Sequence, residues 1–127
     1  MEVYANINKD QWVLCIPDQE HPIWIEGGKE DDDPLRNQIK ALLEMLCFLR
    51  KYSDQSYQIY INSPYCINCN EKWIPKWIER GFRIGHGEAL RPNTDLLVQL
   101  YSFRRCIEFE LFQHYDEYEN YKTFIQV

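Results

Sequence analysis

The sequence predicts one α/β domain spanning residues 1–127, with a mixed five-stranded sheet flanked by helices: three antiparallel strands first, then two parallel additions. Three observations lead there. β-Branched and aromatic runs follow one another at the start, separated by turn residues. A strongly periodic helix then connects them to a fourth such run, and a second helical region precedes a fifth.

Glu2–Asn8, Gln11–Pro17 and Pro22–Gly27 read as strands joined by Asn-Lys-Asp and Pro-Asp-Gln-Glu turns, most simply as an antiparallel meander. Asp33 is a candidate N-cap and Pro34 a first helical residue. The helix they open carries Leu35, Ile39, Leu42, Leu46 and Leu49 at helical spacing. Tyr57–Asn62 is the fourth strand, and a helix between two strand groups fits a parallel crossover. Residues 64–80 carry helical spacing, with Pro64 in the first turn and Trp73 and Trp77 one turn apart; Pro75 must kink or split the segment. Gly81 ends it. After a polar loop through Gly85, Gly87 and Pro92, Thr94 and Asp95 open a helix carrying Leu96, Leu97, Leu100 and Phe103. Ile107–Gln113 alternates as a fifth strand, and the tail with Tyr115, Tyr118 and Tyr121 forms a last helix. No repeat or linker divides the chain.

Composition excludes whole classes of function. With 45% hydrophobic and 27% charged residues the chain is not intrinsically disordered. No apolar run nears the roughly 20 residues of a membrane span, so no membrane partner is expected. The first residues lack the basic and then apolar pattern of a secretory leader. Five cysteines in unrelated contexts point to free thiols in a reducing, intracellular setting, cytoplasm or nucleus. The net charge of −6 speaks against a surface built throughout for nucleic acid. Its distribution is uneven: residues 17–35 hold seven carboxylates against Lys29 alone, and residues 108–119 hold five with no cation. Residues 72–105 reverse the balance, so any nucleic-acid contact is expected at Lys72, Trp73, Lys76, Trp77, Arg80 and Arg83.

Several ordered motifs resemble the ribonuclease H family. INSPY stands where that family writes T-D-S-x-Y after its fourth strand, KWIPKWIERGFR resembles its tryptophan-rich handle, and RPNTDLL resembles its N-x-D-L-W helix start. DDDPLRNQIKALLEML is similar to T-N-N-R-x-E-L and the helix behind it; IEFELFQH is similar to the strand and His before the family's last Asn, matched by Asn120. The resemblance implies a ribonuclease H-like fold over nearly the whole chain. It also implies hydrolysis by two Mg²⁺ ions held by four carboxylates, a hard-cation site that needs anionic oxygens.

The chain departs from that pattern at every ligand position. Asn6 stands in place of the first-strand Asp, Gln38 of the helix Glu, Asn62 of the fourth-strand Asp, and Phe124 of the last Asp. Pro34 and Leu35 replace the two Asn residues with which the family reads the RNA minor groove. The expectation is a catalytically inactive domain with no cofactor and only a vestigial two-Mg²⁺ site, of which Asn6, Gln38, Asn62, His114 and Phe124 are remnants. Such a domain serves as a protein-interaction or structural module. Two alternatives stand beside it. One is a non-catalytic nucleic-acid binder using the basic 72–105 region. The other is an active nuclease whose carboxylates were deliberately exchanged for amides, against which Phe124, Pro34 and Leu35 speak.

Simpler readings apply to the remaining features. Trp73 and Trp77 more readily pack than stack on bases. His114, without metals, is solvated or capped. Cys66-x-x-Cys69 has metal-like spacing but no second pair, so thiols are expected in preference to zinc. The Glu30–Asp33 run reads as a solvated loop that favours the helix it precedes.

Overall fold

The three β-rich runs form β1 (Glu2–Ile7), β2 (Gln11–Ile16) and β3 (Ile23–Gly28) in a computed structural model describing residues 1–17, 20–85 and 87–114. The β1–β2 turn is closed by Asn8, whose Oδ1 accepts the Asp10 and Gln11 amides at 2.8 Å each. α1 (Pro34–Tyr52) begins as the capping chemistry dictates: the Asp33 carboxylate accepts the Leu35 and Arg36 amides, and Pro34 sits in the first turn. It leads to β4 (Tyr57–Ile61), and the last strand is β5 (Phe109–Gln113).

The sheet order is β3-β2-β1-β4-β5; β1, β2 and β3 are antiparallel, β4 joins β1 in parallel, and β5 joins β4 in parallel. Alternation divides the two faces. Val3, Ala5, Ile7, Leu14, Ile16, Ile59 and Ile61 pack beneath α1, which contributes Ile39, Leu42, Met45, Leu46 and Leu49. The opposite face carries Tyr4, Tyr60 and Phe112 as a stacked row with ring centroids 5.2 and 5.4 Å apart.

The predicted helical region 64–80 is four consecutive pieces: α2 (Pro64–Asn68), a π-turn (Cys69–Trp73), α3 (Ile74–Trp77) and a 3₁₀ turn (Ile78–Arg80). Pro75 explains the break, because it has no amide to bond the carbonyl one turn back. The Ile74 amide instead reaches Cys69, one residue further than in an α-helix. Gly81 ends the segment in the left-handed region at φ 61°, as expected. Then comes α4 (Thr94–Cys106), which packs on α1. Strand ends differ from the sequence reading by one or two residues: Ile107, expected in the fifth strand, instead caps α4 through its amide to Phe103. The tail helix, with Tyr115, Tyr118, Tyr121, Asn120 and Phe124, lies outside the described residues.

Gly27 is fixed by packing. The Trp12 indole lies 2.1 Å from where a Cβ would stand, so only glycine fits, and the indole Nε1 donates to Glu30 at 3.0 Å. This contact seats the loop that carries the chain from β3 into α1.

Candidate functional site

The parallel register Ala5↔Ile61 brings the C-terminal ends of β1 and β4 side by side, and the sequence-selected positions gather there. Asn6 lies next to last in β1, half-buried, and Asn62 directly follows β4. Gln38 reaches in from the second turn of α1, and His114 from the end of β5. Among the four, three are engaged by their own protein. The Asn62 Oδ1 accepts the Ile7 amide at 2.9 Å and its Nδ2 donates to the Ile7 carbonyl at 3.0 Å. Asn62 thus acts as one more rung between β1 and β4, made by a side chain.

That rung needs an amide. A carboxylate accepts the Ile7 amide equally well, but it has no hydrogen for the carbonyl and would set a negative oxygen against it. Gln38 is similarly committed: Ser63 Oγ donates to its Oε1, and its Nε2 donates to the Pro34 carbonyl at 3.3 Å. Ser63 Oγ in turn accepts the Cys66 amide at 3.1 Å, capping α2. Two Mg²⁺ ions do not fit this donor set, which is neutral and in which Asn62 and Gln38 are already bonded to protein groups. Among the described residues no group of three or more His, Cys, Asp or Glu is placed to hold a metal ion.

His114 is buried, and its Nε2 lies 2.9 Å from the Ala5 carbonyl. A carbonyl only accepts, so Nε2 carries the proton. Of the two expected states, solvated or capped, the capped one is found. Cys66 and Cys69 are buried free thiols, and burial pushes their pKa values up to about 12 and about 11. Cys66 Sγ lies 3.4 Å from the Gln38 carbonyl.

Two residues escaped the sequence reading. Asn37 is buried; its Oδ1 accepts the Glu30 amide at 2.8 Å and the Asp31 amide at 3.3 Å, and its Nδ2 donates to the Asn8 carbonyl at 3.2 Å. It pins the β3–α1 loop to the β1–β2 turn. The signal was present: Asn37 lies on the same stripe as Ala41 and Met45, a polar residue on an apolar helix face. Arg36 is the second. Its guanidinium grips Asp95 with two hydrogen bonds of 3.0 and 2.9 Å, and also reaches Asp31 at 3.3 Å and Asn93 at 3.2 Å. It ties the start of α1 to the start of α4.

The acidic run is therefore not uniformly solvated. The Lys40 ammonium 2.8 Å away, the Asp33 amide and Arg36 hold the Asp31 carboxyl at about 2. Asp32 remains exposed, paired with Lys29 at 2.7 Å.

The handle residues form a second unit. Trp73 stacks on Trp77 at 5.4 Å, Tyr65 meets Trp73 edge-on at 5.7 Å, and the Arg91 guanidinium lies 4.1 Å from the Trp77 ring centre. Both indoles are half-buried against the core. Lys72, Lys76, Arg80 and Arg83 are exposed, and none is ion-paired among the described residues.

No protein-family model matches the chain, and no curated protein matches it. Solved structures do. The foamy viral protease-reverse transcriptase in complex with RNA/DNA hybrid superposes with a TM-score of 0.61 at 15% identity over 94% of this chain; the match spans only 18% of that chain. The same viral protein in complex with dsDNA gives 0.62 at 12% identity, covering 91% of this chain and 81% of that one. RNase H1 from the halophilic archaeon Halobacterium salinarum NRC-1 gives 0.51 at 11% identity, covering 94% and 90%. Identity this low speaks to fold alone, and it agrees with the strand order and the mixed sheet described above. The chain has a ribonuclease H-like fold.

Proposed function

We propose that this chain is a ribonuclease H-like domain that does not cleave nucleic acid and serves as a protein-interaction or structural module. One observation carries the reading: the amides at the ligand positions are built into the fold, Asn62 bridging both backbone groups of Ile7 and Gln38 joining α1 to Ser63. Carboxylates at these places would keep the bonds they accept but set a negative oxygen against the Ile7 and Pro34 carbonyls, to which the amides donate. Neutral amides do not draw a hard divalent cation from water. Pro34 and the exposed Leu35 at the minor-groove positions point the same way. The test is cleavage of an RNA/DNA hybrid in Mg²⁺ or Mn²⁺, alongside a calorimetric Mg²⁺ titration of the chain. Neither cleavage nor binding heat is expected. Metal-dependent cleavage that the variant Trp77→Ala abolishes would overturn the reading.

A second reading has its own observation, the exposed cations Lys72, Lys76, Arg80 and Arg83 on one helix-and-turn unit, none of them ion-paired among the described residues. It makes the chain a non-catalytic nucleic-acid binder, in keeping with neighbours of the same fold solved with RNA/DNA hybrid or dsDNA. Such binding weakens steeply with salt and is lost on charge reversal of Arg80 and Arg83. Binding without that slope rules it out.

A further inference from the structure

The two edges of the sheet are treated differently. At the β5 edge, the Leu111 amide donates to Glu71 Oε1 at 3.2 Å, and Asn70 Nδ2 donates to the same oxygen at 2.8 Å. Arg104 holds this turn through the Asn70 carbonyl at 2.6 Å. The π-turn therefore occupies the middle of the β5 edge, at Leu111. At the β3 edge, among the described residues, no backbone or side-chain group is hydrogen-bonded to the outer side of Ile23–Gly28.

Register says which groups are left over. The Asn8 amide bonds the Gln11 carbonyl at 2.9 Å, which starts the alternation of bonded pairs along β1 and β2. Carried across β2 to β3, it turns the backbone groups of Ile23, Ile25 and Gly27 toward β2. Those of Trp24, Glu26 and Gly28 face outward. Of the usual edge protections, proline and lysine are missing from Ile23–Gly28 and Glu26 supplies a single charge, while Ile23, Trp24 and Ile25 are half-buried. Charge then selects the partner. In the loop that follows β3, Asp31 is paired with Arg36 and Lys40 and Asp32 with Lys29, whereas Glu26 is exposed on the edge strand itself and has no ion pair among the described residues. A second copy would bring the same anion to the edge.

We infer that β3 is a docking edge for an extended, basic-apolar segment of another protein, added as a sixth strand. Its apolar side chains continue the row of Ile23 and Ile25, and its Lys or Arg side chains lie on the face of Glu26 and Trp24. The inference names a partner for the interaction-module part of the function proposed above, and is independent of the metal argument.

The probe is an end-blocked octapeptide alternating valine and lysine; the control alternates valine and glutamate. The lysine peptide is expected to bind and to slow hydrogen exchange at the Trp24 and Glu26 amides, and the glutamate peptide is not. Glu26→Pro removes an outward amide without touching the β2 ladder, and weakens binding by about tenfold or more. Should that variant fail to fold, Glu26→Lys keeps the amide and is expected to reverse the preference toward the glutamate peptide. Three results overturn the inference: no protection by the lysine peptide, binding unchanged in Glu26→Pro or Glu26→Lys, or a dimer whose formation protects Trp24 and Glu26 by itself. Metal-dependent hybrid cleavage would remove the proposed loss of catalysis and leave the peptide result standing.

Discussion

Two polar clusters meet the N-terminal half of α1, and they solve the same problem with opposite chemistry. Asn37, Gln38 and Asn62 are neutral amides turned toward backbone, holding Glu30, Asp31, Asn8, Pro34 and Ile7 in place. Arg36, Lys40, Asp31 and Asp95 are full charges that pair with one another nearer the surface. The difference follows from what each partner asks. Backbone presents a donor and an acceptor together, which one amide satisfies without burying charge. Two helix starts in partial contact with water are tied by ions, whose charges are tolerated because solvent still reaches them and little desolvation is required. Around the start of α1 charge persists where a countercharge stands opposite, and it is missing at the ends of β1 and β4, where it would stand alone.

The largest effect is expected from replacing the buried Asn37 by Ala (Asn37→Ala), which strips partners from two part-buried amides and one carbonyl at once. Chemical denaturation should show a loss of about 2–4 kcal/mol. Asn62→Asp sharpens the comparison, because it changes one donor into an acceptor at constant shape. A loss of about 1–3 kcal/mol is expected near neutral pH. It should shrink as the pH falls, since the protonated acid regains a hydrogen for the Ile7 carbonyl; a cost that does not change with pH would contradict the bridging role. The smallest effect belongs to the ionic cluster. Asp31 is held at about 2, whereas an unfolded carboxyl titrates near ~3.9. The unfolded chain therefore binds the proton more tightly, and this carboxylate stabilises the fold above pH ~4. Its contribution fades as the pH falls to about 2. In urea titrations Asp31→Asn should flatten stability over that window alone.

Much of the fold was legible because its signals are local. Leu42, Leu46 and Leu49 repeat at helical spacing and lie in the core, and Asp33 with Pro34 starts α1 as capping chemistry requires. Pro75 announced a break, though not its form, since whether a helix kinks or slips by one residue depends on the carbonyl the next amide finds. The candidate site was legible as positions and not as roles. Asn6, Gln38 and Asn62 were identified by the residues they replace, yet nothing in the chain order tells that Asn62 bonds both groups of Ile7, 55 residues away. Asn37 and Arg36 were passed over for the same reason: their partners, Asn8 and Asp95, are distant in sequence and near only once the sheet and both helices are assembled.

By itself the sequence determined the order of the strands and main helices, the apolar faces and the presence of amides at Asn6, Gln38 and Asn62, because each is set by residue type and by periods of two or 3.6. Only the tertiary structure decided which polar groups face one another. It made Asn62 a bridge to both backbone groups of Ile7, set Glu71 on the Leu111 amide of β5 and, among the described residues, left the outer side of β3 without a hydrogen-bond partner. Such pairings depend on distances between segments far apart in the chain, and strand register and helix packing set those distances together.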